Sequence, residues 1–144
     1  MVRAPRSKDA SLLILKRTPL SFAVLNLYPY NNGHVLIVPS RHVDSVEKLS
    51  DEEKLDWLSL HNEVMKTLSK TMKPHGFNIG INLGRVAGAG IPKHLHLHIV
   101  PRWNGDTNFM PVVSSTKIIS ESLASVYKTL KPLLTRAMPK RSRR

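Results

Sequence analysis

Three histidines recur at every second position in Lys93-His94-Leu95-His96-Leu97-His98-Ile99-Val100-Pro101-Arg102-Trp103. In an extended chain successive side chains point to opposite faces, so His94, His96 and His98 share one face and Leu95, Leu97 and Ile99 the other. The apolar set can be buried in a core. The imidazoles make a poor core, because each ring nitrogen needs a partner, so their face belongs in a cleft or on solvent. One such histidine is most simply structural. Three at period two, beside an unbroken apolar set, point to a functional site. Two chemistries stay open here. Neutral imidazole ligates zinc well. It is also a nucleophile near neutral pH, where a useful fraction is unprotonated, and its neighbours can set its tautomer and charge.

The elements that must position this stretch can be read in order. Leu12 to Lys16 reads as a strand, and Phe22 to Tyr28 as a second one interrupted by Asn26. Pro29-Tyr30-Asn31-Asn32-Gly33 is turn chemistry, and His34 to Pro39 is the returning strand. Ser50 with Glu53 forms a capping box, followed by a helical stripe of Trp57, Leu58, His61, Val64, Met65, Leu68 and Met72, stopped by Pro74 and Gly76. His61 is read as a core-edge residue. Phe77 to Leu83 alternates as a half-buried strand, with Asn78, Gly80 and Asn82 on its polar side. A loop rich in Gly and Ala, Gly84 to Lys93, leads into the histidine strand. Asn104-Gly105 is a turn, Phe109 to Val113 is read as extended, and Ser114 or Ser115 as the cap of a last helix with stripe Ile119, Leu123, Val126, Tyr127, Leu130, Leu133 and Leu134. Pro132 should kink or end it. Strands, a helix, strands and a helix make an α+β domain around an antiparallel sheet of about five strands.

Composition bounds the rest. The 144 residues suit one domain. The division expected is a basic N-terminal segment over 1–10, a domain over 11–135 and a basic, disordered tail over 136–144. No apolar run is long enough to span a bilayer, and none follows Met1 as a signal peptide would. Without cysteine, disulfides and thiolate zinc sites are excluded. The net charge of +12 gathers toward the ends, in Arg3, Arg6 and Lys8 and in Arg136, Lys140, Arg141, Arg143 and Arg144. Such ends can contact nucleic acid or another acidic surface, although solvated ends are the plainer account. A cytoplasmic location is expected, with nuclear or mitochondrial placement as the alternative.

The alternation of histidines resembles the signature of the histidine triad (HIT) superfamily of nucleotide hydrolases and transferases. The likeness extends to Leu27-Tyr28-Pro29-Tyr30-Asn31-Asn32-Gly33-His34-Val35-Leu36-Ile37-Val38-Pro39 and to the segment from Pro101 to Met110. These flanks are similar to the branch acting on diadenosine tetraphosphate. The resemblance implies the HIT-like fold, a homodimer and a dinucleoside polyphosphate substrate. It implies His96 as nucleophile toward the α-phosphorus, His94 as the residue fixing its tautomer, His98 as a contact to a non-bridging or leaving oxygen, and His34 as a supporting fourth histidine. Asn26 would contact ribose, and Asn82 the phosphates or nucleotide. Gly88, Ala89 and Gly90 could present backbone N–H groups to phosphate, and Lys93 and Arg102 could hold distal phosphates. No metal ligand and no required cofactor are implied; magnesium would arrive only with the substrate.

The expected reaction is hydrolysis of diadenosine tetraphosphate to ATP and AMP. Water is expected as acceptor because Ala89-Gly90-Ile91-Pro92 offers no hydroxyl, and Pro92 no N–H, to hold an extra anion. Phosphorolysis to ATP and ADP, purine nucleoside phosphoramidase activity, and a non-catalytic nucleotide-binding module are the alternatives.

Overall fold

The computed structural model describes residues 5–88, 90–91, 93–107 and 119–135. Ala89, Pro92, the Phe109 to Val113 segment, the Ser114 or Ser115 cap and the 136–144 tail lie outside the described residues.

Five antiparallel strands form one sheet: β1 (Ile14–Arg17), β2 (Ser21–Leu25), β3 (Val35–Pro39), β4 (Gly76–Ile81) and β5 (Leu97–Arg102), in the order β1-β2-β3-β5-β4. Helices α1 (Asp51–Met72) and α2 (Leu123–Thr135) lie on one face. Between them and the sheet sits the main core. Ala23, Leu25, Val35, Ile37, Leu97 and Ile99 of the strands meet Trp57, Leu60, Val64 and Leu68 of α1 and Val126, Leu130 and Leu134 of α2. The opposite face carries the polar alternates of β5, so the histidines lie on the side of the sheet away from the helices.

The start of α1 follows its sequence closely. Ser50 Oγ accepts from the Glu53 N–H at 3.2 Å, and the Ser50 N–H donates to Glu53 Oε2 at 2.8 Å. Its buried stripe is Glu53, Trp57, Leu60, Val64 and Leu68. Leu58, expected in the stripe, is 51% exposed and Leu60 takes its place. A helix turns about 100° per residue, so Leu60 lies within about 60° of both Trp57 and Val64 while Leu58 lies about 100° or more from either. Trp57 Nε1 donates to the Ile37 carbonyl at 2.9 Å, tying α1 to β3.

Two further boundaries differ from expectation. Helix α2 begins at Leu123, with Ser122 Oγ accepting from the Ser125 N–H at 3.2 Å. Ile119, expected in its stripe, precedes the helix. Pro132 does not end it; the helix runs on to Thr135, since a proline removes one N–H bond without forbidding helical φ. The second strand stops at Leu25 because Asn26 Oδ1 accepts the Tyr28 N–H at 3.1 Å and turns the chain.

Gly33 is fixed by both backbone and space. Its φ is +70°, and a Cβ there would fall 2.6 Å from Met72 Sδ. This close approach lets the turn before β3 sit on the end of α1. Within β1, Leu15 is an extra residue in the pairing, which runs Ile14 with Val24 and then Lys16 with Ala23. The freed Ile14 carbonyl accepts from Tyr127 Oη at 3.2 Å and Lys131 Nζ at 2.9 Å, which docks α2.

Candidate active site

The regular ladder of β5 starts at Leu97, so His94 and His96 stand just before it, and Leu95 is held by its N–H to the Val43 carbonyl at 2.6 Å. The expected alternation nevertheless persists through the whole stretch. Leu95, Leu97 and Ile99 are 2%, 7% and 0% exposed in the core. Leu36 of β3 lies opposite His98, with Val24 of β2 opposite Leu36 and Ile14 of β1 opposite Val24. His98 is thus the end of an apolar row across the site face, and Ile14, Phe22, Val24 and Val38 form a second small core with Leu12 and Leu36 at its partly open rim. On the other side Gly80 of β4 faces His98, and a Cβ at Gly80 would meet nothing within 4 Å.

The hydrogen bonds fix which nitrogen of each ring carries a proton. The Tyr30 N–H, a group that can only donate, lies 3.0 Å from His34 Nδ1. His34 Nδ1 is therefore an acceptor. Burial pushes the His34 imidazole down to about 3, with repulsion from His98 and His96 adding to it, so the ring stays neutral. Its one proton then sits on Nε2, which donates to His98 Nδ1 at 2.9 Å. His98, also lowered by burial and by His96, keeps its own proton on Nε2. That nitrogen is buried with no partner among the described residues.

His96 carries the opposite tautomer. A carbonyl can only accept, so His96 Nδ1–H donates to the His94 carbonyl at 2.8 Å and leaves the lone pair on Nε2. The His96 and His98 rings are 4.9 Å apart. His94 Nε2–H donates to the Pro39 carbonyl at 3.0 Å, and burial, with His42 and His96 nearby, lowers its pKa. A lone pair and an unpartnered N–H thus stand side by side, a nucleophile and a donor to an oxygen acceptor.

Of the other expected residues, Asn26 reaches the cluster: its Nδ2 lies 3.3 Å from His34 Nδ1. Asn82 braces the glycine loop, its Nδ2 donating to the Gly88 carbonyl at 3.4 Å. Gly88 has φ +83°, and it, Gly90 and Lys93 are exposed. Arg102 is not available as drawn from sequence. It grips Asp106 through Nε at 2.6 Å and Nη2 at 2.7 Å, and its Nη1 donates to Asn78 Oδ1 at 2.6 Å. Asp106 also accepts from Asn31 Nδ2 at 2.7 Å, so Arg102 locks the turn after β5 against the turn before β3. Tyr30 escaped the sequence reading: its N–H sets the relay, and its ring stacks on His98 with centroids 5.6 Å apart and planes 10° apart. A main-chain donor has no signature in a sequence. The apolar row was missed because Leu36 and Val24 read as ordinary strand residues. Among the described residues no group of three or more His, Cys, Asp or Glu is arranged to hold a metal ion.

Fold and site together define a histidine-triad domain. The HIT domain model matches residues 7–105, and the chain belongs to the HIT family. It is 40% identical over 126 residues to the AP-4-A phosphorylase of Mycobacterium tuberculosis, covering 88% of this chain and 65% of that protein. It is 37% identical over 117 residues to the asymmetrical bis(5'-nucleosyl)-tetraphosphatase of Schizosaccharomyces pombe, covering 81% of this chain and 64% of that protein. The chain therefore spans just under two thirds of the length of these relatives. The crystal structure of the C. elegans NitFhit protein superposes with a TM-score of 0.68 at 32% identity, covering 83% of this chain and 27% of that one.

Proposed function

We propose that this protein cleaves dinucleoside polyphosphates, taking diadenosine tetraphosphate to ATP and AMP through a nucleotidyl-His96 intermediate. The observation that carries the reading is the pair of opposite tautomers, His96 with its Nε2 lone pair and His98 with an unpartnered Nε2–H. His96 Nε2 attacks the α-phosphorus, the P–O bond to the departing polyphosphate breaks with its electron pair staying on that oxygen, and His98 Nε2–H donates a hydrogen bond to the oxygen as its charge develops. In the second step water attacks the same phosphorus, the P–N bond breaks with its electron pair returning to His96 Nε2, and the water's proton passes to solvent. One difficult displacement becomes two easier ones.

Supports surround the pair. The His94 carbonyl holds the His96 tautomer, while His34, Asn26 and the Tyr30 N–H hold that of His98. The rim of Leu12 and Leu36 offers apolar surface to a nucleobase beside the histidines. Asn82, the Gly90 N–H and Lys93 receive phosphate oxygens, while the Gly88 N–H is held by the Arg85 carbonyl at 3.1 Å. Arg102 enters as a brace of the fold and not as a phosphate contact. No metal is required, and magnesium enters with the substrate. The reading takes the protein as a homodimer, with β4 as the outer strand that a second copy would meet; its Ile79 is 47% exposed. No helix among the described residues is long and apolar enough to cross a membrane; a cytoplasmic location is part of the proposal.

The AP-4-A phosphorylase name of the 40% relative supports a second reading, in which inorganic phosphate accepts the adenylyl group. Product analysis on diadenosine tetraphosphate, with and without millimolar phosphate and with adenosine phosphoramidate as a parallel substrate, tests both. ATP and AMP in either condition establish hydrolysis; ADP formed only with phosphate establishes phosphorolysis. Quenched reactions should carry labelled nucleotide on the wild-type chain and none on His96→Ala. Label on that variant would overturn the assignment of the nucleophile.

A further inference from the structure

The catalytic face leaves the chain's charge unexplained. Residues 1–17 and 128–144 together hold twelve of the 22 Lys and Arg but one of the ten acids. Residues 18–127 hold ten basic and nine acidic residues, a net charge of +1. Nearly all of the +12 therefore belongs to two short stretches far apart in sequence.

The fold brings the described parts of these stretches, residues 5–17 and 128–135, together. A groove of about 510 Å³ runs between the segment before β1, the strand β1 itself and the last turns of α2. Arg6, Lys16, Arg17 and Lys131 line it against the single lining acid, Asp9, and Thr135 closes its end. Part of this charge is spent on the fold. Arg17 Nη2 lies 2.9 Å from Asp9, Lys16 pairs with Glu63 at 2.5 Å, and Lys131, which bonds the Ile14 carbonyl, is 3.8 Å from Asp9. One carboxylate is thus shared by Arg17 and Lys131, and Arg6 and Lys8 are exposed beside it. Five more cations, Arg136, Lys140, Arg141, Arg143 and Arg144, follow directly on Thr135 in the sequence.

We infer that this edge of the domain binds the phosphate backbone of nucleic acid, independently of the reaction at His96. Residue type favours that occupant over an anionic membrane. Seven of the ten arginines lie in the two stretches, and a guanidinium matches phosphate geometry with two parallel donors where an ammonium cannot. Binding to a bilayer surface needs an apolar face to insert beside the charge. Of the apolar side chains at this groove, Leu15 and Leu134 are both 0% exposed and belong to the core, Tyr127 is half-buried, and the exposed Ala10 offers a single methyl. Strand β1 lies three strand spacings from β5, roughly 14 Å, so a bound polyanion would leave the histidines free.

The test is fluorescence anisotropy with an end-labelled DNA duplex and an RNA strand, each of about 20 nucleotides, titrated across salt. With about five phosphates contacted, duplex affinity should fall several hundred-fold from roughly 50 to 200 mM salt, a log–log slope near −4. Arg6→Glu should flatten that slope by about one unit, and Lys8→Glu by about one more. Both variants should retain wild-type turnover on diadenosine tetraphosphate, which also shows that they fold. Three results would overturn the inference: no binding at the lowest salt, slopes unchanged in both variants, or retention by phosphatidylserine vesicles without retention by either nucleic acid.

Discussion

His34 Nδ1 can accept from the Tyr30 N–H only while the ring stays neutral inside the protein, and that requirement has a thermodynamic signature. In the unfolded chain His34 titrates at its ordinary value of 6.5; folding lowers it to about 3. Between those values the unfolded state binds more protons than the native state, so stability rises with pH there and is lost as pH falls from 6.5 toward 3. Moving from near pH 7.5 to about pH 5 should cost about 2 kcal/mol through this residue alone. The figure is insensitive to the depth of the shift, because at pH 5 the native ring is neutral whether it titrates at 3 or one unit higher. His94 and His98, both lowered by burial, act in the same direction. Glu53, drawn down to about 2 by Arg41 and the Ser50 N–H, acts mainly at lower pH, since its contribution is lost only below the unfolded value of 4.5.

His34→Leu isolates the effect. The variant leaves the Tyr30 N–H and His98 Nδ1 without their partner, which should cost roughly 1–3 kcal/mol at every pH. It also deletes the His34 linkage, so the stability it loses between pH 7.5 and 5 should be about 2 kcal/mol smaller than in the wild type. Urea denaturation at the two pH values measures both quantities. Equal pH-dependent losses in the two proteins would refute the argument, because His34 would then be free to protonate in the folded state and could not accept from the Tyr30 N–H.

Three other outcomes follow from the same geometry. Gly33→Ala should lose about 1–3 kcal/mol of stability, from a left-handed φ and from displacing Met72, as read by denaturation midpoint. Ser50→Ala removes the cap of α1 and should cost about 1 kcal/mol, a few degrees in a thermal melt. Exhaustive chelation should leave turnover on diadenosine tetraphosphate intact when magnesium is restored with the substrate; recovery that instead requires zinc would reverse the reading of the histidines as nucleophile and supports.

The sequence displays what periodicity and side-chain type can carry. The alternation at 94–99 placed Leu95, Leu97 and Ile99 in the core and the histidines together, and the Ser50 and Glu53 spacing located the start of α1 to the residue. Other features lie beyond such signals. Leu58 and Leu60 both suit a helix face, and only packing against the sheet selects Leu60. Ser114 or Ser115 is the expected cap of the last helix, but its first turn is held by Ser122, which the sequence reading did not single out. Arg102 looks like a phosphate ligand until Asp106, four residues on, takes its donors. The relay through Tyr30 uses a backbone N–H that every residue but proline possesses.

The core and the site share a single strand register, and this explains why so few residues suffice. Ile37 pairs with Leu97 and Val35 with Ile99, all buried, which places Leu36 opposite His98. His34 precedes Val35 on the site face, so it is the diagonal neighbour of His98. Side chains on such a diagonal have Cβ atoms about 7 Å apart, a gap that two imidazole rings close to a 2.9 Å hydrogen bond. A slip of one residue would send every histidine to the helix side and every leucine to the site. The burial of Leu97 and Ile99 that makes this slip costly therefore also holds the donor nitrogen of His98 in place. Substitutions that loosen Val35 or Ile99 without touching any histidine should disturb the tautomer relay before they unfold the domain.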